Sequence, residues 1–285
     1  MSTSKIAQLK IVINNGYKSA SSAAQAKRLF DEGNKILPTT IVENKCTNSY
    51  KSCYKNDDAI IFLDKDLYHL RQLELMGVSV FNSSRAVAIA DDKAHTILTI
   101  NDIEEVDVPR TIIAPKLYFG HPNEAFLYAV QAEFDYPIVV KECYGSLGKQ
   151  VYLANNFSEL KELAENIGAR PHLYQEFVAE SSGRSLRVYV AGGKVVASGR
   201  LTSSNDFRSN ADNGGTMTAV KISERLESAV LKIAKRIGLT FGGIDMFDTE
   251  VPTFIEANSN AYFAELERCS GVNIAKEIIK SVVNK

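Results

Sequence analysis

Residues 241–247, Phe-Gly-Gly-Ile-Asp-Met-Phe, and residues 253–258, Thr-Phe-Ile-Glu-Ala-Asn, are two short apolar runs separated by the polar stretch Asp248-Thr249-Glu250-Val251-Pro252. Two runs of strand length around a proline-punctuated turn form a hairpin. Side chains alternate across a strand, so Phe254, Glu256 and Asn258 are expected on one face, with Ile255 and Ala257 on the other. If Asp245 turns to the same face on the paired strand, two carboxylates and an amide oxygen surround one point. That is a hard-oxygen donor set, suited to Mg²⁺ with substrate phosphates completing the shell. Taken alone, the same acids read equally well as solvated or capping residues beside strand ends.

The chain has 285 residues, enough for a sizeable core and for two or three subdomains of ordinary size. Its formal net charge of -1 argues against a general nucleic-acid or membrane-surface binder. The start, Met1-Ser2-Thr3-Ser4-Lys5, leads into only a short apolar strand, and no run approaches the ~18 apolar residues of a membrane span, so a cytoplasmic protein is expected. Cys46, Cys53, Cys143 and Cys269 lack Cys-x-x-Cys spacing, so neither a zinc site nor a disulfide framework is suggested.

Strand and helix alternate through the first part of the chain, with strands near 9–13, 36–42, 59–63 and 78–81 and helices near 20–31 and 67–76. This pattern implies a small parallel α/β unit over residues 1–83. Ser83-Ser84 and Asp91-Asp92 then offer helix caps, with Lys93 in the second helix. A central α+β unit over 84–178 carries a strand at 138–141 and a helix at 157–167 that is capped by Asn156 and stopped by Gly168. A third unit, 179–285, holds a Gly192-Gly193 hairpin, the hairpin with the acids, and a helix whose Leu226, Ala229, Val230, Ile233, Ala234 and Ile237 form one apolar stripe.

Lys141 ends the strand Pro137-Ile138-Val139-Val140-Lys141 and precedes Gly145-Ser146-Leu147-Gly148-Lys149. Glycines there let backbone N–H groups approach phosphate oxygens beside an ammonium, although Gly-x-x-Gly alone also suits a plain hairpin turn; the Walker spacing is absent. At Gly192-Gly193 a two-residue turn pairs Ala191 with Lys194 and sets Arg187 opposite Ser198, making Arg187 and Arg200 diagonal neighbours on one face. Converging cations call for an anion between them, unless both side chains reach solvent. The loop Asn205-Asp206-Phe207-Arg208-Ser209-Asn210 adds a third guanidinium and further amides.

In order and spacing these pieces resemble the ATP-grasp carboxylate–amine ligases, most closely the RimK-type glutamate ligases. The matching segments are Asp92-Lys93, Val140-Lys141 with its glycine loop, Gln175-Glu176-Phe177-Val178, Gly183-Arg184-Ser185-Leu186-Arg187, Asp206-Phe207-Arg208-Ser209-Asn210, Gly243-Ile244-Asp245, Glu256-Ala257-Asn258 and Ser270-Gly271-Val272-Asn273-Ile274-Ala275. The resemblance implies an α/β ATP-grasp fold of three subdomains. It implies that Lys93 and Lys141 contact ATP phosphates, that Glu176 and Phe177 hold adenine through backbone groups, and that Arg208, Ser209 and Asn210 line the nucleotide site. Asp245, Glu256 and Asn258 would hold Mg²⁺, for which Mn²⁺ can substitute. Arg187 and Arg200 are the candidates for gripping an acylphosphate or an acidic substrate.

The activity implied is ADP-forming amide or peptide bond formation. An amino acid, glutamate by resemblance, would join a carboxylate-bearing small molecule, peptide or protein tail. A homo-oligomer is implied as well. The pattern departs from the family at Ser185, which stands where a carboxylate for ribose is expected, and after Asn258, where Ser259-Asn260 replaces a Pro-Gly turn. Ser185 keeps a second reading open: a nucleotide-binding regulatory protein of this fold without ligase turnover.

Overall fold

The computed structural model describes residues 6–14, 19–44, 54–56, 58–146, 148–203, 206–208 and 215–284. Ser209, Asn210, Cys46 and Cys53 lie outside the described residues. The chain opens with strands β1 (Gln8–Asn14), β2 (Thr39–Asn44), β3 (Asp58–Phe62) and β4 (Ser79–Phe81), paired in parallel in the order β2-β1-β3-β4. Helices α1 (Ala20–Gly33) and α2 (Leu67–Leu75) make the crossovers. β2 begins later than its apolar run suggests, because Ile36 and Leu37 roll back onto the end of α1, both donating to the Gly33 carbonyl. Two short helices follow, α3 (Ser84–Asp91) and α4 (Lys93–Ile100), capped by Ser83 and Asp92.

The middle of the chain forms a four-stranded antiparallel sheet in the order β5-β8-β6-β7, from β5 (Thr111–Ile113), β6 (Ile138–Glu142), β7 (Val151–Ala154) and β8 (His172–Glu176). Helices α5 (Glu124–Glu133) and α6 (Phe157–Ile167) supply Leu127, Val130, Leu160, Ala164 and Ile167 to its core. A third sheet follows in the order β11-β10-β9-β12-β13. It is built from β9 (Arg184–Ala191), β10 (Lys194–Thr202), β11 (Thr216–Ala219), β12 (Phe241–Phe247) and β13 (Phe254–Asn258). One face packs under α7 (Glu224–Ile237), whose apolar stripe is buried along its whole length.

The opposite face of the third sheet shares a core with the N-terminal sheet: Tyr189, Ala191 and Phe241 pack with Leu9, Ile11 and Ile61. That core is completed by α8 (Ala264–Ser270) and α9 (Ile274–Val283), two helices with no counterpart among the elements expected from sequence. Gly243 stands at a tight approach, since a Cβ there would lie 2.6 Å from the Ala261 Cβ.

Two bulges change which face side chains occupy. Val196 is an extra residue in β10, so Arg187 lies opposite Gly199 rather than Ser198, and Arg200 lies opposite Leu186. A single inserted residue reverses the alternation beyond it. Arg187 and Arg200 therefore occupy opposite faces, correcting the expected cationic pair. In β13, Ile255 is the extra residue between the Met246–Phe254 and Asp245–Glu256 pairs. Phe254 consequently turns into the core beneath α7, whereas Glu256 and Asn258 keep the face of Asp245.

His172 is buried on β8; its Nδ1 lies 2.7 Å from the Arg170 carbonyl and its Nε2 2.9 Å from the Tyr174 hydroxyl. Burial holds His172 below the ordinary histidine range, outweighing the Arg170 carbonyl and the nearby Glu142. A neutral ring with Nδ1–H donating satisfies both neighbours, and protonation disrupts the arrangement. A depressed folded-state value means that the unfolded chain takes up protons first, so stability falls as pH drops below about 6.5. His172→Gln should flatten that slope in urea unfolding. An unchanged slope between about pH 7 and pH 5 would show that His172 is not held neutral by the fold.

Candidate functional site

Asp245 and Glu256 face each other across β12 and β13 in direct register. Arg187 stands opposite Asp245 on the other neighbour, β9, and clasps it through Nε to Oδ1 at 2.8 Å and Nη2 to Oδ2 at 2.6 Å. Two parallel N–H bonds to one carboxylate fix its plane as well as its position. Asn258 Nδ2 donates to Glu256 Oε1 at 3.0 Å, which holds the second acid from its own strand. Burial raises Asp245 above the usual carboxylate range despite Arg187, and Glu256 adds to the rise. For Glu256 burial acts in the same direction, but Lys93, the Asn258 bond, Arg187 and Lys141 outweigh it and hold it low.

Lys141 approaches this pair from the central sheet. It is buried on β6, and its Nζ donates to Gln175 Oε1 at 2.7 Å. Burial draws its pKa down to about 8, with Glu256 resisting and Lys93 adding to the fall. Gln175 in turn donates to Thr111 Oγ1 at 2.8 Å, so the amide is oriented before it meets the ammonium. Lys93 is the first residue of α4, and its N–H donates to the Cys143 carbonyl at 3.0 Å.

Lys93, Lys141, Gln175, Asp245 and Glu256 line one cleft of about 790 Å³, its open mouth included. The cleft presents these groups together with Phe177, Val178 and Phe207, the Phe177 and Phe207 rings lying edge-to-face at 6.1 Å. Gly148, Glu176, Ser185 and Arg208 also line it. Gly145 and Asn258 border a smaller adjoining cavity that shares Lys93 and Glu256 with the cleft. Gly145 at φ 144° and Gly148 at φ 68° adopt backbone open to glycine at little cost. The Ser146 N–H donates to Gln150 Oε1 at 3.3 Å.

Four of the residues expected at the site have their side chains engaged elsewhere; Arg187, a candidate for gripping an acylphosphate, is bound to Asp245 and does not line the cleft. Arg200 pairs with Asp248 and does not line the cleft. The Glu176 carboxylate accepts from the Arg110 backbone and side chain at 2.7 and 2.8 Å. Arg208 is bound by Asp206 and by the Gly148 and Val151 carbonyls. Conversely, Gln175 and Phe207 line the site although their sequence context gives neither a role there. Strand alternation back from Phe177 is the signal available for Gln175.

The residues fit a divalent cation and a nucleotide. A close pair of carboxylates, Asp245 buried and Glu256 half-buried, beside an amide oxygen is a donor set for a hard cation, and among the described residues no third His, Cys, Asp or Glu joins them, so a bound ion would draw further ligands from phosphate or water. Ammonium groups and aromatic walls in one cleft match a polyphosphate carrying a planar base. Removing Arg187 leaves the Asp245 carboxylate buried beside Glu256 without its counter-ion, a change that costs roughly 3–5 kcal/mol for buried pairs. Urea unfolding of Arg187→Met should show that loss, and the double variant with Asp245→Leu should recover much of it. A single-variant cost within about 0.5 kcal/mol would remove the ion pair from the account of stability.

A model of the RimK-like ATP-grasp domain matches residues 90–282. A protein named as a probable alpha-L-glutamate ligase of Thioalkalivibrio sulfidiphilus is 34% identical over 224 residues, covering 75% of this chain and 70% of that protein. Among solved structures, a RimK-domain ATP-grasp protein from Sphaerobacter thermophilus superposes with a TM-score of 0.73 at 18% identity, covering 97% of this chain and 99% of its own. The D-alanine–D-alanine ligase of Bacillus anthracis complexed with ATP gives a TM-score of 0.75 at 15% identity, covering 98% and 96%. The fold is that of the ATP-grasp proteins, and the chain belongs to the RimK-like ATP-grasp family.

Proposed function

We propose that this protein is an ADP-forming carboxylate–amine ligase that joins an amino acid to a carboxylate-bearing acceptor through an acylphosphate. One observation carries the reading: Lys93, Lys141, Asp245 and Glu256, drawn from separate elements, line a single cleft. The probable glutamate ligase and the D-alanine–D-alanine ligase among its relatives support amide-bond formation as the reaction class.

In this reading the adenine packs against Phe177 and Phe207, and the triphosphate lies toward Lys93 and Lys141. Asp245, Glu256 and Asn258 hold Mg²⁺. The ion supplies Lewis-acid neutralisation of phosphate charge when bound. Gln175 keeps the Lys141 ammonium aimed, Arg187 keeps Asp245 aimed, and the glycine loop offers backbone N–H groups to phosphate oxygens. The γ-phosphoryl group passes from ATP to an oxygen of the acceptor carboxylate, leaving ADP. The amine then attacks the acyl carbon and expels phosphate, forming the amide. Phosphoryl transfer of this kind depends on placement and on preset charge rather than on a protein nucleophile.

Wild-type protein given ATP, Mg²⁺ and pooled amino acids with candidate carboxylates should release ADP and form an amide product visible by mass spectrometry. Asp245→Asn and Glu256→Gln should each lower ADP release at least about 100-fold while remaining folded, the scale seen when a preorganised charge is removed. Hydroxylamine should trap a hydroxamate from the activated acid. Wild-type rates in either variant would refute the metal assignment, and a stable phosphorylated product with no hydroxamate would make the protein a kinase.

A further inference from the structure

The glycine loop between β6 and β7 is pinned at both ends by other parts of the molecule. At its start, Tyr144 Oη donates to Asp92 Oδ2 at 3.0 Å, and Asp92 Oδ1 accepts from the Ala94 and His95 N–H groups at the head of α4. The loop's entry is thereby tied to the helix that carries Lys93. At its end, Arg208 Nη1 donates to the Gly148 carbonyl at 2.8 Å and to the Val151 carbonyl at 3.2 Å. Arg208 belongs to the connection between β10 and β11, so this contact joins the third sheet to the central one across the cleft.

The guanidinium is built into place. Asp206 accepts from Arg208 Nε at 2.9 Å and from Nη2 at 2.6 Å, and also from the Arg208 backbone N–H at 2.8 Å. The guanidinium carbon lies 5.5 Å from the centre of the Phe207 ring. The Phe207 carbonyl accepts from the Gly183 N–H at 2.9 Å, fixing the segment to the start of β9. Gly183 has φ 70°, and a Cβ there would lie 2.5 Å from the Ser203 carbonyl oxygen. With Nε and Nη2 spent on one carboxylate and Nη1 on two carbonyls, Arg208 is held to backbone rather than toward Lys141 and Glu256.

We propose that Arg208 is a positioning residue that clasps the glycine loop across the cleft, setting the loop's N–H groups against the nucleotide phosphates without itself touching them. This rests on the reading of the cleft as a nucleotide site. The role demands a planar fork that serves a carboxylate and two carbonyls together, which a lysine ammonium cannot reproduce. A purely electrostatic contact with phosphate would instead survive substitution by lysine in large part.

Hydrogen exchange measured by mass spectrometry on the full chain tests the clasp. Without nucleotide, Arg208→Lys should speed exchange of the amides at 148–151 about tenfold or more, the equivalent of one charge-assisted bond, while α7 and β9 keep wild-type rates. Asp206→Asn, which frees the guanidinium but leaves its carbonyl contacts possible, should give a smaller change in the same segment. With Mg²⁺ and a non-hydrolysable ATP analogue, the wild-type loop should gain protection, and Arg208→Lys should lose most of it. In turnover, Arg208→Lys should raise KM for ATP about tenfold along with any fall in kcat. Unchanged loop exchange in Arg208→Lys, or wild-type KM in that variant, would overturn the clasp. Failure of the wild-type loop to gain protection from nucleotide would instead overturn the reading of the cleft, because the nucleotide-free comparison stands by itself.

Discussion

The bidentate contact between Arg187 and Asp245 is the interaction on which the arrangement of the site depends. It joins β9 to β12 at the point where β12 pairs with β13, so one guanidinium fixes the carboxylate that faces Glu256. Two acids buried side by side repel, and burial raises the cost of ionising either. Arg187 on one side and Lys93 and Lys141 on the other make the pair tolerable within the protein. The result is an acidic point held open on a rigid sheet, available to a further cation. Positioning of this kind is more accurate from strands than from loops.

The cations reach that point from different elements. Lys141 comes from β6 and Lys93 from the head of α4, while the glycine loop between them is held by Tyr144 on one side and Arg208 on the other. The cleft is therefore a junction between the central and third sheets, roofed by a loop whose two attachments lie on separate elements. Aromatic walls at Phe177 and Phe207 bring apolar surface into the same cleft as the charged groups.

Much of this is legible in the sequence because it rests on local rules. The stripe Leu226–Ile237 and its stop at Gly238, the cap at Asn156 and the tight Gly192-Gly193 turn follow from spacing alone. Lys93, Lys141, Asp245 and Glu256 stand out by their strand and helix ends and their order along the chain, and the fold brings them together. What escapes depends on single inserted residues. The bulge at Val196 sends Arg187 and Arg200 to opposite faces, and the bulge at Ile255 moves Phe254 into the core. Nothing in the alternation of residue types announces an extra residue in a strand. The partnership of Arg187 with Asp245 is equally hidden, because it depends on β9 and β12 being neighbours although α7 separates them in sequence.

The central claim is that the buried carboxylates and the lysines form a nucleotide site that becomes complete with a divalent ion. Calorimetric titration of the intact protein with a non-hydrolysable ATP analogue, in Mg²⁺ and in EDTA, tests it most directly. The account predicts tight binding in Mg²⁺, a loss of roughly tenfold or more in EDTA, and no such dependence in Glu256→Gln. Equal affinity with and without the ion in the wild-type protein would contradict it.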